Sequence, residues 1–461
     1  MITVSNQSHW IIQQAKQNPD KKFIVTPTQK FSFSETLEKA FVIYNYCKKN
    51  GFDKNSRIGV LSSHNTDFIF TVLGLWLSEC TPVLFNKNQT NLEIEEQKKT
   101  ARVSDLIDPG NFDFTVKIKT KKSSLNFSPD DFALIIFTSG TTGKTKAVVH
   151  TFSSLYQSIK NCDSFINHNS ENIWLASLPF FHIGGFAIFL RALICGCQIT
   201  IPKSLLTEDL IHSVKTNSPT FASFVTTTFY RLIEKNISPW KNLRILFLGG
   251  GPLNQNEIFD FVTSGWPIAK VYGSSETCAM VTTEMASKYN RDENLCGKQL
   301  GDVEIKIDAQ QNISVKTKAL FAGYFQNNSL DDSKIKNRFY STGDIGELRN
   351  NHLKIFSRRS DLIISGGKNI DPLEIENIIR ANFDVKDVKV FALENAQWGQ
   401  QVTAAIIPSG NQTAYDNFKA QLKKILSGYK IPKQIFYVEK FPETATGKID
   451  LQKLKKILQS G

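Results

Sequence analysis

Short apolar runs alternate with longer amphipathic segments along the first hundred residues. Residues 53–62 (DKNSRIGVLS) predict a turn that leads into a buried strand, residues 66–79 predict a helix, and residues 82–85 predict another short strand. Strands separated by helices are typical of α/β architecture. The hydrophobic pattern therefore predicts an α/β fold for this part of the chain.

A polar stretch interrupts the apolar pattern at residues 138–146. Residues 133–137 (ALIIF) predict a buried strand before it, and residues 147–150 (AVVH) favour a second, short strand after it. Signals for a helix start appear only around Thr151 to Ser154. Residues 117–130 are rich in lysine and serine and predict a loop ahead of the first strand. The order predicted here is strand, loop, strand.

Strand and turn signals continue through the second half of the chain to its carboxyl-terminal end. Residues 245–248 predict a further strand, and Asn350 and Asn351 separate two apolar runs and predict a hairpin turn. Asp371, Pro372 and Glu374 are typical of the first positions of a helix. Residues 388–393, 402–407 and 434–439 predict short strands between helices. We expect a compact α+β unit of about 100 residues at this end.

Length and composition limit the number of domains and the class of protein. A chain of 461 residues exceeds what one hydrophobic core usually supports, so two or more domains are expected. The content of 41% hydrophobic and 21% charged residues is that of a soluble globular protein. The net charge of +12 suits an anionic small molecule and equally suits nucleic acid.

Cysteine usage and the apolar segments favour a cytoplasmic enzyme. The cysteines lie at positions 47, 80, 162, 195, 197, 278 and 296. They lack paired metal-ligand spacing, which predicts reduced intracellular thiols. The first residues lack the basic segment and apolar core of a signal peptide. The apolar stretches at 68–77 and 186–194 are too short to span a bilayer or contain an arginine, so no transmembrane segment is expected.

The polar stretch 138–146 has the sequence TSGTTGKTK, which is typical of a phosphate-binding loop. Glycine lets the backbone approach a ligand, and hydroxyls and lysines add hydrogen-bond donors for phosphate oxygens. The end of the stretch resembles a Walker A loop, but Thr138 stands where that loop needs glycine, and no helix follows directly. A turn of serine, threonine and glycine without any ligand remains the alternative.

Several other residues could carry chemistry or could be purely structural. His182 and Arg191 lie in an apolar stretch of the sequence. A histidine in such a stretch is often a core residue, whereas a guanidinium there needs a partner. The glycines at 249–251 follow a predicted strand, where they could form a tight turn or let a flat ring approach. Read alone, Glu276 would belong to the first turn of a helix, Asp344 to a turn, and Lys448 to the solvated surface.

Taken together, these stretches resemble the signatures of the adenylate-forming acyl-CoA synthetase superfamily. The matching motifs, in chain order, are TSGTTGKTK at 138–146, FHIGG at 181–185, YGSSE at 272–276, YSTGD at 340–344, SRRSD at 357–361 and PETATGK at 442–448. The chain departs from the family pattern at Thr145, Ala147, Ser275 and Ser357. The resemblance extends over nearly the whole chain, although residues 1–130 contribute little to it.

The resemblance implies a role for each matched position. Lys448 is the adenylation lysine, His182 shapes the adenylation site near the acid, and Glu276 holds Mg²⁺, with Thr141 as a second oxygen ligand. Arg191 is expected to recognise a carboxylate of the acid. Gly273 is expected beside both acid and nucleotide. The residues implied to contact ATP are Thr138, Ser139, Gly140, Thr141, Thr142, Gly143, Lys146, Gly250, Gly251, Tyr272, Gly273, Ser275, Asp344 and Arg358.

The resemblance also implies a two-part architecture and a moving domain. We expect a large domain of layered α/β sheets over residues 1–357 and a small mobile α+β domain, the lid, over residues 358–461. The hinge is expected at Ser360 and Asp361. A loop around Gly366 and Gly367 is expected to face coenzyme A after the lid has turned.

These expectations describe an AMP-forming acid–thiol ligase that uses ATP, Mg²⁺ and coenzyme A. In its short length, its LPFFHIGG segment and the position of Arg191, nine residues after His182, the chain resembles members of the superfamily that activate an aryl acid with two carboxylates. Another aryl- or medium-chain acyl-CoA ligase and a carrier-loading adenylation domain are same-class alternatives. From a different class, the chain could be a non-catalytic nucleotide-binding regulator. Nucleic-acid binding lacks a recognition motif and is not expected, and homo-oligomerisation is left open.

Overall fold

The computed structural model describes residues 8–116, 127–139, 145–250, 255–287, 295–326, 329–358, 361–365, 368–395, 399–410, 415–444 and 447–460. The helices within these ranges are α1 (Trp10–Gln17), α2 (Phe33–Lys49), α3 (Thr66–Leu77), α4 (Asn91–Ala101), α5 (Phe152–Ile166), α6 (Ile183–Cys195), α7 (Thr207–Asn217), α8 (Thr226–Glu234), α9 (Gln255–Thr263), α10 (Pro372–Asn382), α11 (Tyr415–Leu422) and α12 (Leu451–Ser460). None of them combines the length and apolar character that a membrane span needs.

The strands of the first half of the chain are β1 (Lys22–Val25), β2 (Lys30–Ser32), β3 (Arg57–Ser62), β4 (Thr81–Asn86), β5 (Asp105–Ile107), β6 (Phe132–Ser139), β7 (Thr145–Thr151), β8 (Ile173–Leu175), β9 (Gln198–Thr200), β10 (Phe221–Val225) and β11 (Ile245–Gly249). Those that follow, up to the end of the large domain, are β12 (Ile268–Ser274), β13 (Ala279–Met285), β14 (Lys298–Gln299), β15 (Glu304–Ile307), β16 (Asn312–Lys316), β17 (Gly323–Gln326), β18 (Ser329–Asp331), β19 (Ile335–Lys336), β20 (Phe339–Arg349) and β21 (His352–Arg358). The lid contributes β22 (Ile363–Ser365), β23 (Lys368–Ile370), β24 (Val385–Asn395), β25 (Gly399–Pro408) and β26 (Gln434–Tyr437).

Two large sheets form the framework of the large domain. One has nine strands in the order β14-β13-β12-β11-β10-β8-β9-β1-β2, and the other has seven in the order β18-β17-β7-β6-β4-β3-β5. The central strands of both are parallel. The nine-stranded sheet has an antiparallel pair towards each end, β12–β13 and β1–β2, and the seven-stranded sheet continues at one end through the antiparallel pair β6–β7. The pairs β12–β13 and β6–β7 carry residues that the sequence motifs single out.

One hydrophobic core joins the two sheets. It contains side chains of both sheets, such as Ile136 of β6 and Phe247 of β11, together with side chains of α3, α5 and α6. Trp76 of α3 packs on Phe189 of α6 with ring centroids 6.1 Å apart, and its indole N–H donates to the Ala133 carbonyl at 2.7 Å. Truncation of a buried aromatic such as Phe189 costs about 3–5 kcal/mol, so this packing fixes α6 and the site residue at its start.

Local signals in the sequence explain where several elements begin and end. The Thr151 side chain accepts a hydrogen bond from the Ser154 amide at 3.2 Å and caps α5, as predicted. Asp371 caps α10 by accepting from the Leu373 amide at 2.9 Å, also as predicted. Asn350 and Asn351 join β20 to β21 with positive φ values of 50° and 63°, which confirms the predicted hairpin turn.

The lid has hydrophobic cores of its own. Its sheet has the order β23-β22-β25-β24, with β26 paired to β25, and α10 and α11 pack on it. The core of the large domain extends to Leu353 and Ile355, whereas the lid cores begin at Ile363. We propose the domain boundary at 357/358, as the motif pattern predicts, which lies between these cores; β21 of the large domain extends one residue past it, to Arg358.

Candidate active site

The phosphate loop predicted from the sequence connects two strands of a hairpin. Thr138 pairs with Lys146, and Ser139 pairs with Thr145, so the predicted order of strand, loop and strand is confirmed. Lys146 therefore lies in β7, and its ammonium stands 4.8 Å from the centre of the Tyr324 ring. The predicted loop residues Gly140, Thr141, Thr142 and Gly143 lie outside the described residues, as does the Ser139 side chain.

Glu276, the predicted metal ligand, lies in the turn between β12 and β13. It does not belong to the first turn of a helix, which was the structural alternative, because β12 continues into β13 as an antiparallel hairpin. The Tyr324 hydroxyl donates to Glu276 Oε1 at 2.7 Å, and the Phe321 amide donates to the Glu276 carbonyl at 2.8 Å. Burial and the adjacent carboxylate raise the pKa of Tyr324, so its hydroxyl remains a donor.

A buried histidine connects the phosphate hairpin to this turn. His150, on β7, contacts the Ser275 carbonyl through Nε2 at 2.8 Å and Ser154 Oγ through Nδ1 at 3.3 Å. Burial lowers the pKa of His150 to about 4. The neutral ring therefore donates from Nε2 to Ser275, which keeps Ser275 and Glu276 in a fixed position relative to β7.

Neither Tyr324 nor His150 was predicted as a site residue. No motif quoted from the sequence contains Tyr324, and His150 had been assigned only to a strand. The single signal for His150 was its place at the end of an apolar run, where a buried imidazole needs polar partners. One of these partners, the Ser275 carbonyl, lies 125 residues further along the chain, so sequence spacing could not reveal it.

The residues expected to face the nucleoside lie near the ends of β11 and β12 and in the middle of β20. The Tyr272 hydroxyl donates to Asp344 Oδ2 at 2.6 Å. Gly250 has a positive φ of 83°, which favours glycine, and a Cβ at Gly273 would come within 1.6 Å of the Ala279 carbonyl oxygen. Asp344 also pairs with the backbone of Arg358. Gly251 and the Arg358 side chain lie outside the described residues.

Lys448 of the lid lies beside Gly250 of the large domain, close enough for its charge to act on His182. A Cβ added to Gly250 would stand 3.3 Å from Lys448 Cε. The pKa of His182 falls to about 4, because the ring is buried and, secondly, because the Lys448 ammonium is near. His182 also precedes the first residue of α6. The predicted adenylation lysine and the predicted acid-site histidine are thus neighbours.

Arg191 lies deeper in α6, away from His182. Nine residues of helix separate the two by roughly 13 Å. Arg191 is 2% exposed, and its guanidinium stands 5.0 Å from the centre of the Trp174 ring. Within the described part of the chain, its buried Nε has no hydrogen-bond partner. A buried guanidinium with an unmet donor is suited to a carboxylate that extends inward from the His182 end.

Asp163, His168 and Cys195 form a cluster of residues that could in principle ligate a metal. The Trp174 indole N–H donates to His168 Nε2 at 3.2 Å, so the imidazole proton must be on Nδ1, which lies 2.7 Å from Asp163 Oδ1. Both ring nitrogens therefore already have partners, and metal ligation would break this arrangement. The cluster therefore helps to hold Trp174, whose ring lies against the Arg191 guanidinium.

Glu276 offers a hard carboxylate oxygen of the kind that Mg²⁺ prefers. Tyr324 orients this carboxylate through a hydrogen bond to one carboxylate oxygen, and the Lys146 ammonium lies over the face of the same ring. The residues present therefore fit a magnesium ion bound together with phosphates. The second predicted ligand, Thr141, lies outside the described residues, and so do Ser360 of the hinge and Gly366 and Gly367 of the CoA-side loop; Asp361 is described.

Two family models match the chain. The one described as AMP-binding enzyme matches residues 11–325, and the one described as AMP-binding enzyme C-terminal domain matches residues 374–448. The first match covers more than half of the chain, so the chain belongs to the AMP-binding enzyme family. The predictions of an adenylate-forming enzyme and of a large α/β domain followed by a smaller one are confirmed.

Several relatives within this family are similar to the chain over nearly its full length. A 2-succinylbenzoate–CoA ligase of Staphylococcus epidermidis is 29% identical, with 97% of each chain covered. The o-succinylbenzoate coenzyme A synthetase of Bacillus subtilis, solved with its acyl-adenylate intermediate, has a TM-score of 0.88 at 25% identity, with 97% and 98% of the two chains covered. Its complex with ATP and a magnesium ion also gives 0.88 at 25% identity, with 97% and 99% covered. A double mutant of that protein with a product analogue gives 0.73 at 26% identity, with 98% of each chain covered.

Proposed function

We propose that the chain is an ATP-dependent 2-succinylbenzoate–CoA ligase of menaquinone or phylloquinone biosynthesis. It activates the acid as an acyl-adenylate and then transfers the acyl group to coenzyme A. The observation that carries this proposal is the position of Lys448 beside His182 and Gly250. Similarity over the full length to 2-succinylbenzoate–CoA ligases supports the choice of acid.

In the first half-reaction, a carboxylate oxygen of the acid attacks the α-phosphorus of ATP, and the bond to the departing pyrophosphate breaks. Both reactants are anions, so positive charge at the meeting point lowers the barrier. We assign Lys448 to the oxygens between the carboxylate and the α-phosphate. His182 is neutral, because its pKa is about 4, so it shapes the site without adding a second charge.

The remaining assignments follow the predicted roles. Asp344 accepts the ribose hydroxyls, Tyr272 presents a ring to adenine, and Ser275 offers a hydroxyl to the α-phosphate. Lys146 and the hydroxyl-rich loop between β6 and β7 contact the outer phosphates. Glu276 and Thr141 would hold a magnesium ion, which would neutralise charge on the phosphates.

In the second half-reaction, the thiolate of coenzyme A attacks the acyl carbonyl, and AMP leaves. We propose that the lid turns at Ser360 and Asp361, which withdraws Lys448 and brings the Gly366–Gly367 loop towards coenzyme A. The higher TM-score to the acyl-adenylate complex than to the product-analogue complex supports the assignment of the present arrangement to the first half-reaction.

Pyrophosphate release with a panel of acids tests the choice of substrate. We expect release with 2-succinylbenzoate in the presence of ATP and Mg²⁺, and at most about a hundredth of that rate with benzoate or a fatty acid. Preference for either of the latter would identify another aryl- or medium-chain acyl-CoA ligase. Absence of release with every acid would indicate the non-catalytic regulator.

Arg191 is the residue that we assign to the carboxylate left unactivated. Arg191→Ala should raise KM for 2-succinylbenzoate by roughly tenfold or more, while KM for ATP changes by less than about twofold, because a charged hydrogen bond is worth about 1.5–3 kcal/mol. Arg244→Ala is the control, since that guanidinium also lies on an aromatic ring, Phe221, at 5.4 Å. Equal effects on both KM values would contradict the assignment.

The partners of the enzyme are, on this proposal, three small molecules: the aryl acid, ATP and coenzyme A. The basic charge of the chain then serves anionic substrates and no nucleic acid. We also propose a cytoplasmic location, because all seven cysteines are thiols in the structure, as is usual in a reducing compartment.

A further inference from the structure

One side of α8 contacts the lid at three places. Thr227, Arg231 and Glu234 are spaced four and three residues apart, so they lie on the same face of the helix. Thr227 Oγ1 donates to the Gly447 carbonyl at 2.7 Å, and Arg231 Nη2 lies 2.6 Å from both carboxylate oxygens of Glu443. Glu234 forms an ion pair with Lys386 at 3.0 Å. We call these three residues the α8 stripe.

The α8 stripe stands on a rigid support. The opposite face of α8 buries Phe229 and Leu232 in a core of the large domain, and the Phe229 ring contacts Phe261 and Trp266 with centroid distances of 5.0 Å each. The helix cannot shift without disturbing this packing. The stripe therefore presents fixed polar groups to whatever docks on it.

The lid segment that docks on the stripe is the one that carries Lys448. Within it, the Asp450 amide donates to the Pro442 carbonyl at 2.7 Å and the Thr444 amide to the Lys448 carbonyl at 2.7 Å, so the segment is a closed loop. Gly447 has a positive φ of 75°, and a Cβ there would stand 3.0 Å from Thr227 Oγ1. Contacts at Glu443 and Gly447 thus hold the segment on α8 just ahead of Lys448.

We propose that the α8 stripe is the docking surface that holds the lid in its adenylation arrangement, with Arg231 and Glu443 as positioning residues for Lys448. This rests on the proposed two-step function. The Arg231 and Glu443 side chains are partly exposed, and so are Lys386 and Glu234. Exposed ion pairs are weak, so the contacts can break when the lid turns for the second half-reaction.

Reversal of the charge at Arg231 tests whether this residue acts by docking the lid. Arg231→Glu should lower the rate of acyl-adenylate formation by about five- to tenfold, since it faces Glu443 with a like charge. Thioester formation from supplied acyl-adenylate should keep at least its wild-type rate, because undocking favours the second arrangement. The double variant R231E/E443R restores the opposite charges and should recover most of the adenylation rate.

Lys235→Glu is the matched control. Lys235 is the neighbouring residue just past α8, but it pairs with Glu208 of the same domain at 3.3 Å and is not part of the stripe. Its reversal should leave both half-reactions within about twofold of wild type. Equal loss of both half-reactions in Arg231→Glu, or no recovery in the double variant, would overturn the proposal.

Hydrogen exchange gives a readout that does not depend on the identity of the substrate. In Arg231→Glu, the amides of Thr444, Gly447 and Asp450 should exchange faster than in wild type, and the double variant should restore their protection. If wild-type protein released no pyrophosphate yet exchange followed this pattern, the proposed function would fail and the docking surface would stand. Unchanged exchange in Arg231→Glu would instead refute the docking surface.

Discussion

Two tyrosine hydroxyls orient the two carboxylates on which the proposed chemistry depends. Tyr324 donates to Glu276 and Tyr272 donates to Asp344, at 2.7 and 2.6 Å. A hydrogen bond to an ionised oxygen is stronger than a neutral one and fixes the plane of the carboxylate. Each carboxylate is therefore held in one orientation before any ligand arrives.

Removal of the Tyr324 hydroxyl should weaken the binding of magnesium more than the binding of ATP. Tyr324→Phe deletes the hydrogen bond to Glu276 but keeps the ring below Lys146. We expect the Mg²⁺ concentration for half-maximal pyrophosphate release to rise about tenfold, with KM for ATP within about twofold of wild type. Tyr44→Phe, on α2, serves as the control. A shift in KM for ATP alone would show that Tyr324 acts on the nucleotide instead.

Lys448 should matter to one half-reaction only. Lys448→Ala removes the positive charge at the point where carboxylate and α-phosphate meet, so acyl-adenylate formation should fall by at least about a hundredfold. Thioester formation from a supplied acyl-adenylate should be nearly unchanged, because Lys448 has no part in that step. Separate assays of the two half-reactions give the answer. Equal losses would refute this division of roles.

The hairpin of β12 and β13 has a register shift between Tyr272 and Gly273, close to the turn that contains Glu276. This irregularity brings the Ala279 carbonyl to within 1.6 Å of where a Cβ of Gly273 would stand. Only glycine fits at this position. The requirement arises from the close approach of the two strands, and it places Ser275 and Glu276 at the end of the sheet.

Gly273→Ala should therefore destabilise the large domain. The added methyl group collides with backbone, which cannot move aside as a flexible side chain can. We expect a loss of at least about 2 kcal/mol in the free energy of unfolding, measured by urea denaturation. Gly428→Ala is the control, because no atom lies within 4 Å of a Cβ at that glycine. Equal stability of the two variants would contradict the close approach.

At the scale of the whole molecule, folding buries several imidazoles in neutral form. Burial lowers the pKa to about 3 for His9 and to about 4 for His64, His150 and His182. Because the ordinary value is 6.5, the unfolded chain binds more protons than the folded chain between these pKa values. Stability therefore rises with pH through this window and is lost as pH falls from 6.5 towards 4.

Acidification to pH 5 should lower the free energy of unfolding by up to about 2 kcal/mol for each of these histidines. Thermal unfolding at a series of pH values from 7 to 5 measures the slope. His150→Gln should reduce the slope, whereas His212→Asn, at an exposed position of α7, should leave it unchanged. A pH-independent unfolding temperature over this range would show that the buried imidazoles do not control acid stability.

The sequence by itself determined the elements and their order. The cap at Thr151, the helix start at Asp371 and the turn at Asn350 depend on residues next to one another in the chain, so short-range patterns predict them. Motif spacing also identified the candidate residues, including Glu276, Asp344 and Lys448. The packing of the sheets was not needed for either step.

Only the tertiary structure decided which of these residues meet. The contacts of His150 with Ser275, of Arg231 with Glu443 and of Thr227 with Gly447 join residues 125, 212 and 220 positions apart. Arg191 was predicted from its apolar setting, but its distance from His182 follows from the helix between them. The physical reason is that sequence patterns record local backbone preferences, whereas these contacts depend on how two sheets and a separate lid pack against each other.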